Sequence, residues 1–209
     1  MDEKKFDITS YELDQLKEIV NIGASHAGDV LSKMVGKKVT LTVPEAKIDE
    51  VPSLIKYIGD VSKKATAVNI KISGDTVGMM LFIFPGNSGH KIAKLITNDQ
   101  DDNNEEVDRK DMSALREVGN ILAGSYLSAM AQFLKINLLY SVPKVHTDTL
   151  CFIIDEIVNQ EEISDIDIFL LFKVSLTICD ENTEAQLYML SDSKFTSKIL
   201  EITKKAFGM

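Results

Sequence analysis

Apolar residues recur at helical spacing from Leu13 to Val35, behind a Thr9-x-x-Glu12 pair that fits a capping box, and Gly36 can end the run. A long first helix is predicted. Val39 to Val43 is rich in strand formers and runs into Pro44, and a loop or short helix fits Pro52 to Ile58. Ala65–Ile72 and Val77–Phe84 then alternate around Ser73-Gly74-Asp75-Thr76, which supplies the turn of a hairpin. Pro85-Gly86-Asn87-Ser88 breaks the sheet; Asn87 or Ser88 can cap, and Ile92, Leu95 and Ile96 mark a short amphipathic helix.

Asn98 to Lys110, NDQDDNNEEVDRK, is acidic and almost free of apolar residues, so it reads as a surface connection. The pattern then restarts. Met112–Leu134 reads as a long helix, Leu138–Val142 as a strand into Pro143, Asp167–Ile178 and Ala185–Leu190 as strands, and Phe195–Phe207 as a closing helix. At a constant offset of 99, Leu16, Glu18, Asn21, Ile22, Ala24, Val43 and Pro44 fall on Leu115, Glu117, Asn120, Ile121, Ala123, Val142 and Pro143. Either half alone would expose a sheet face and a strand edge. The expectation is therefore an α/β (α+β) fold: a single domain over 1–209 made of two pseudo-twofold repeats, about 9–97 and 111–207, joined by the linker 98–110. The repeats should share one continuous sheet and carry the two long helices.

The helix period also sorts the polar residues. With Asp14 as the zero angle, Glu18 lies about 40° to one side and Asn21 about 20° to the other. Leu16, Val20, Ala27, Val30, Leu31 and Met34 gather opposite, so the stripe should face solvent. Ser113, Glu117 and Asn120 repeat it against Leu115, Leu122, Met130 and Phe133. A single Glu-x-x-Asn on an amphipathic helix is unremarkable. Asn, however, is a weaker helix former than Gln, Glu or Lys, and keeping it mid-helix twice argues for a task. Duplication by itself accounts less well for the match, because neighbouring solvent positions have diverged (Asp29 against Ser128, Lys33 against Gln132).

Composition narrows the class. A hydrophobic share of 44% and a charged share of 26% are ordinary for a globular protein, and a net charge of −9 argues against nucleic acid and acidic membrane as partners. The longest apolar runs, Met79–Pro85 and Ile166–Phe172, are far shorter than the roughly 20 residues a spanning helix needs and read as buried strands. MDEKKFDITS has no apolar core of the signal-peptide kind, so a cytoplasmic protein without membrane insertion is expected. Cys151 and Cys179 sit in apolar stretches without ligand spacing and read as reduced core thiols. His26 lies at the edge of the first stripe, while His90 and His146 stand apart, so no metal site is expected. Neither a P-loop, a dinucleotide fingerprint nor a nucleophile elbow is present.

The pattern Asp/Ser-x-x-x-Glu-x-x-Asn, then twenty-two residues, then Pro, occurs as Asp14, Glu18, Asn21, Pro44 and as Ser113, Glu117, Asn120, Pro143. It resembles the CheC family of chemotaxis phosphatases, which includes CheX and the phosphatase domain of FliY. Two intact motifs in this length are most similar to the CheC type. The stretch after Asn21, IGASHAGDV, departs from the Gly/Ala-rich family pattern at His26 and Asp29. The resemblance implies an enzyme that hydrolyses the phospho-aspartate of a CheY-type response regulator. Asn21 and Asn120 would orient the attacking water, Glu18 and Glu117 would dock on the regulator's lysine, and Asp14 and Ser113 would support docking. It implies no cofactor of the chain's own, with magnesium carried by the phosphorylated regulator. The alternative is an adaptor for the receptor deamidase CheD with residual hydrolysis; a purely structural duplicated domain is a third reading. Two separate sites would leave partial activity in Asn21→Ala and in Asn120→Ala, unequal because Asp14 and Ser113 differ, with near-complete loss in the double, and neither substitution should harm folding.

Overall fold

The computed structural model describes residues 9–98, 107–158, 168–178 and 181–192, together with Ser197 and Glu201. The first helix, α1 (Ser10–Val35), starts at the capping box read from sequence: the Glu12 backbone N–H donates to Thr9 Oγ1 and the Thr9 N–H donates to Glu12. It ends at Gly36, whose φ of 66° is the left-handed geometry that favours glycine. There follow β1 (Val39–Glu50), a single 3-10 turn at Val51–Ser53, α2 (Ile55–Ile58), the hairpin β2 (Lys64–Gly74) and β3 (Gly78–Pro85), and α3 (Ser88–Thr97). The second half contributes α4 (Arg109–Leu134), β4 (Leu138–Tyr140), β5 (Lys144–Thr149), α5 (Leu150–Val158), β6 (Ile168–Ile178) and β7 (Glu181–Ser191). The closing helix expected over Phe195–Phe207 lies outside the described residues, apart from Ser197 and Glu201, which are helical.

The seven strands form one antiparallel sheet in the order β1-β6-β7-β3-β2-β4, with β5 also on β2. Exchanging each strand for its counterpart in the other half reads this order backwards, as a twofold through the β3·β7 pair requires. The register carries the same symmetry. Val39 faces Ile178 and Leu138 faces Gly74; Glu45 faces Lys173 and Lys144 faces Asn69. Steps of 99 along β1 and 104 along β2 relate every one of these pairs.

Alternate residues of the central strands feed two cores. Met80, Phe82 and Phe84 of β3 join Leu170 and Phe172 of β6 and Leu187 and Met189 of β7 beneath α1, α3 and α4. Met79, Leu81, Ile83, Phe169, Leu171, Tyr188 and Leu190 face the other way, toward α2 and α5. Strands buried on both faces read as continuous apolar runs, which is why Met79–Pro85 looks as it does in the sequence. On the helical side α1 crosses α4 closely: a Cβ on Gly23 would stand 2.9 Å from Tyr126 Cα.

Three readings need correction. The first strand does not stop at Pro44; Val43 and Pro44 together oppose one residue of β6, and the bulge lets the strand continue to Glu50 because Pro44 is never asked to donate. In the second half the same point, Ser141 to Pro143, splits the strand into β4 and β5. Hydropathy assigns nothing between Pro143 and Asp167, yet α5 lies there; its nine residues are too few for a helical period to stand out from a short apolar run. Cys151, finally, is exposed, since α5 turns Leu150, Ile153, Ile154 and Ile157 inward instead; Cys179 lies outside the described residues.

Just past the bulge Glu45 is held by Lys173 across the ladder and by Lys47 on its own strand, and these ammonium groups lower its carboxyl from the ordinary 4.5 to about 2. The folded carboxyl thus binds its proton less tightly than the unfolded one. Its contribution is complete above about pH 4.5 and is lost as the pH falls toward 2. Denaturant titrations across this window should show wild-type stability falling more steeply than that of Glu45→Gln, with the two curves parallel above pH 5.

Candidate functional site

The two motifs occupy α1 and α4, and all their residues but Asn21 stand exposed as the period implies. Asp14, Glu18, Ser113, Glu117 and Asn120 are exposed, while Leu16, Val20, Leu115, Val118 and Leu122 are buried behind them. Ser113 folds back, its hydroxyl donating to the Arg109 carbonyl at 3.0 Å. His26 is exposed as well. The apolar stripe is shorter than the sequence suggests: Val30 and Met34 are 45% and 40% exposed. Met34 instead borders an open cleft of about 620 Å³ that Ile96, Arg109, Ser113 and Glu117 also line.

That shared cleft sets the last turn of α1 beside the first turns of α4, so the helices run antiparallel. Gly23 meets Tyr126, which puts Asn21 level with the region of residue 128. Asn120 lies eight residues short of that level, about 12 Å along the axis at 1.5 Å per residue. The two amides do not converge on one pocket.

Their surroundings differ. Asn21 is half-buried, and its Oδ1 accepts the backbone N–H of Val43, in the bulge, at 3.0 Å. Asn120 is exposed, and no side-chain hydrogen bond engages it among the described residues. The reason lies in the strand beneath. Val43 is 1% exposed and turns its N–H up to α1, whereas Val142 is 75% exposed and leaves the line of the sheet. Asn21 is therefore not a free surface amide of the kind the period predicts.

Sequence reasoning also missed what anchors the start of α4. Asp108 and Asp111 form a reciprocal capping box, so the helix begins at Arg109 and not at Met112. Buried Asp111 meets His90 Nδ1 of α3 at 2.6 Å, with Lys94 Nζ at 3.9 Å. Asp-x-x-Asp before an apolar run was a legible cap signal; the partnership with His90 joins residues distant in sequence and was not. Among the described residues no group of three His, Cys, Asp or Glu side chains is placed to hold a metal ion, and no helix is long and apolar enough to cross a membrane.

Residues 12–48 and 111–147 each match the model of the CheC-like family, so both matches contain a complete Glu-x-x-Asn motif and the proline beyond it. The chain is 31% identical over 191 residues to the CheY-P phosphatase CheC of Bacillus subtilis, an alignment covering 88% of this chain and 90% of that one. The chain belongs to the CheC-like family. Among solved structures, Thermotoga maritima FliY superposes with a TM-score of 0.76 at 21% identity, over 96% of this chain and 99% of the other. A CheX from Desulfovibrio desulfuricans superposes with a TM-score of 0.54 at 14% identity, over 84% and 99%. At these identities the two structures establish the shared fold of this CheC-like chain.

The different amide environments predict different stability effects. Asn21→Ala strands the Val43 N–H, a loss of about 1–3 kcal/mol, partly offset by the better helix propensity of Ala, worth up to roughly 0.7 kcal/mol. Urea melts should place it about 1 kcal/mol below wild type. Asn120→Ala should match wild type or exceed it by a few tenths.

Proposed function

We infer that this chain hydrolyses the phosphorylated aspartate of a CheY-type response regulator in chemotaxis signalling. The observation that carries the inference is the doubled Glu-x-x-Asn stripe, kept at matched positions on two helices of a chain 31% identical to a CheY-P phosphatase.

An acyl phosphate hydrolyses when a water is held in line with the departing aspartate oxygen while cations balance the charge on the phosphoryl group. A carboxamide suits the first task, because it donates and accepts hydrogen bonds without ionising. Asn120, exposed and uncommitted, takes that role in the second site. Asn21 keeps two N–H donors and one acceptor direction after its bond to Val43, which suits it to the same role with less freedom. Glu18 and Glu117, one turn before each amide, are the carboxylates that would meet the regulator's lysine, and Asp14 and Ser113 support docking at the outer end of each stripe. The magnesium that balances charge belongs to the phosphorylated regulator. The chain supplies orientation.

The 12 Å offset between the amides and the separate Glu on each helix favour two sites that work independently, the second being the stronger. Asn120→Ala should lower the rate of regulator dephosphorylation about five- to tenfold, Asn21→Ala by a smaller factor, and the double variant should be near background. The four proteins are to be compared at matched folded fraction. Complete loss in either single variant would mean one composite or one dominant site, full activity in the double would remove the water-orienting role from both amides, and a wild-type chain that binds a CheD-type deamidase without appreciable hydrolysis would favour the adaptor reading.

A further inference from the structure

Beside Asn120 the second half of the chain carries a surface feature that the first half lacks. At the offset of 99, Ser25, Leu41 and Val43 correspond to Gly124, Tyr140 and Val142. Leu41 and Val43 are core residues, 7% and 1% exposed; Tyr140 and Val142 are 41% and 75% exposed. The prolines exchange roles in the opposite sense, Pro44 being exposed and Pro143 buried. Pro143 packs under α4, where a Cβ on Gly119 would lie 3.5 Å from Pro143 Cβ.

The feature is also fixed in place. Ser141 N–H donates to the Lys71 carbonyl and the Lys71 N–H donates to Ser141 Oγ, both at 3.0 Å, which pins the turned-out backbone to β2. Tyr140 reaches across to α4, one turn beyond Asn120: a Cβ on Gly124 would come within 2.9 Å of its Oη. A glycine inside a helix is destabilising relative to alanine, and here its absent side chain makes the room that the phenol occupies. An aromatic hydroxyl and a three-quarters exposed valine on hydrogen-bonded backbone, beside an exposed Glu and Asn, have the make-up of a contact surface.

We propose that Tyr140 and Val142 form a recognition ledge of the second site, which receives the surface of the phosphorylated regulator next to its phospho-aspartate and makes this site bind more tightly than the first. The assignment rests on the functional reading above and names the residues that select the partner. Val142 supplies apolar area to be covered, and Tyr140 supplies a ring with a hydrogen-bonding end.

The test uses full-length protein carrying Asn21→Ala, so that hydrolysis reports the second site. In that background Tyr140→Ala and Val142→Ser should each raise KM for the phosphorylated regulator about tenfold, the scale of losing one covered side chain, with kcat nearly unchanged. Tyr140→Phe should lie between. Titration of the beryllofluoride-activated regulator should weaken in parallel; Val142, 75% exposed, should leave the melting curve close to the parent's, and Tyr140→Ala, which gives up its packing on α4, is compared at matched folded fraction. Unchanged KM in Tyr140→Ala and Val142→Ser, or a fall in kcat at constant KM, overturns the ledge. A parent protein that binds no regulator and hydrolyses nothing overturns instead the functional reading on which the ledge depends.

Discussion

The structure turns on one ladder of hydrogen bonds, the antiparallel pairing of β3 with β7. Each half brings a strand with an apolar run buried on both faces, Met79–Phe84 within β3 and Leu187–Leu190 within β7, and neither half can cover such a strand alone. Pairing them makes the sheet continuous, places one core under α1 and α4 and another under α2 and α5, and generates the twofold order of the remaining strands. The halves thus share one sheet. The motif helices lie side by side over this sheet, α1 on β1 and α4 on β2, β4 and β5.

A second constraint decides how alike the two sites are. Proline has no N–H to give a ladder, and the chain places one beneath each motif helix at the same point of the repeat. A strand can answer in two ways. In the first half it bulges: Val43 stays in the core, Pro44 faces out, and the Val43 N–H that the ladder no longer uses is satisfied by Asn21. In the second half it breaks: Pro143 goes in, Val142 comes out, and Asn120 is left uncommitted. A duplicated motif therefore sits on supports that differ, and the Asn21–Val43 bond adds a structural duty to a residue whose copy has none.

Much of this was legible in the chain. Capping chemistry and glycine located α1 to the residue, alternating strands around Ser73–Thr76 located the hairpin, and the offset of 99 revealed both the doubling and the stripes. These signals are local, depending only on backbone preferences and on which face of an element is apolar. The short apolar runs were less readable. LCFIIDEIV became α5 and left Cys151 outside the core, because a run of nine residues carries no decisive period and its inward face is chosen by the sheet it lands on.

What the sequence by itself determined, then, is the element order, the doubling and the exposure of Glu18, Glu117 and Asn120, since these follow from periods and spacings within single segments. What only the tertiary structure decided is the inequality of the two sites: that Asn21 is tied to a strand twenty-two residues on, that Asp111 rests on His90, and that Val142 turns outward while Val43 turns in. The first and last depend on how each strand passes its proline once it has paired, and the Asp111–His90 contact depends on how α3 and α4 pack over the sheet. No window of sequence contains that information, because the donor and its acceptor meet only when the sheet is complete.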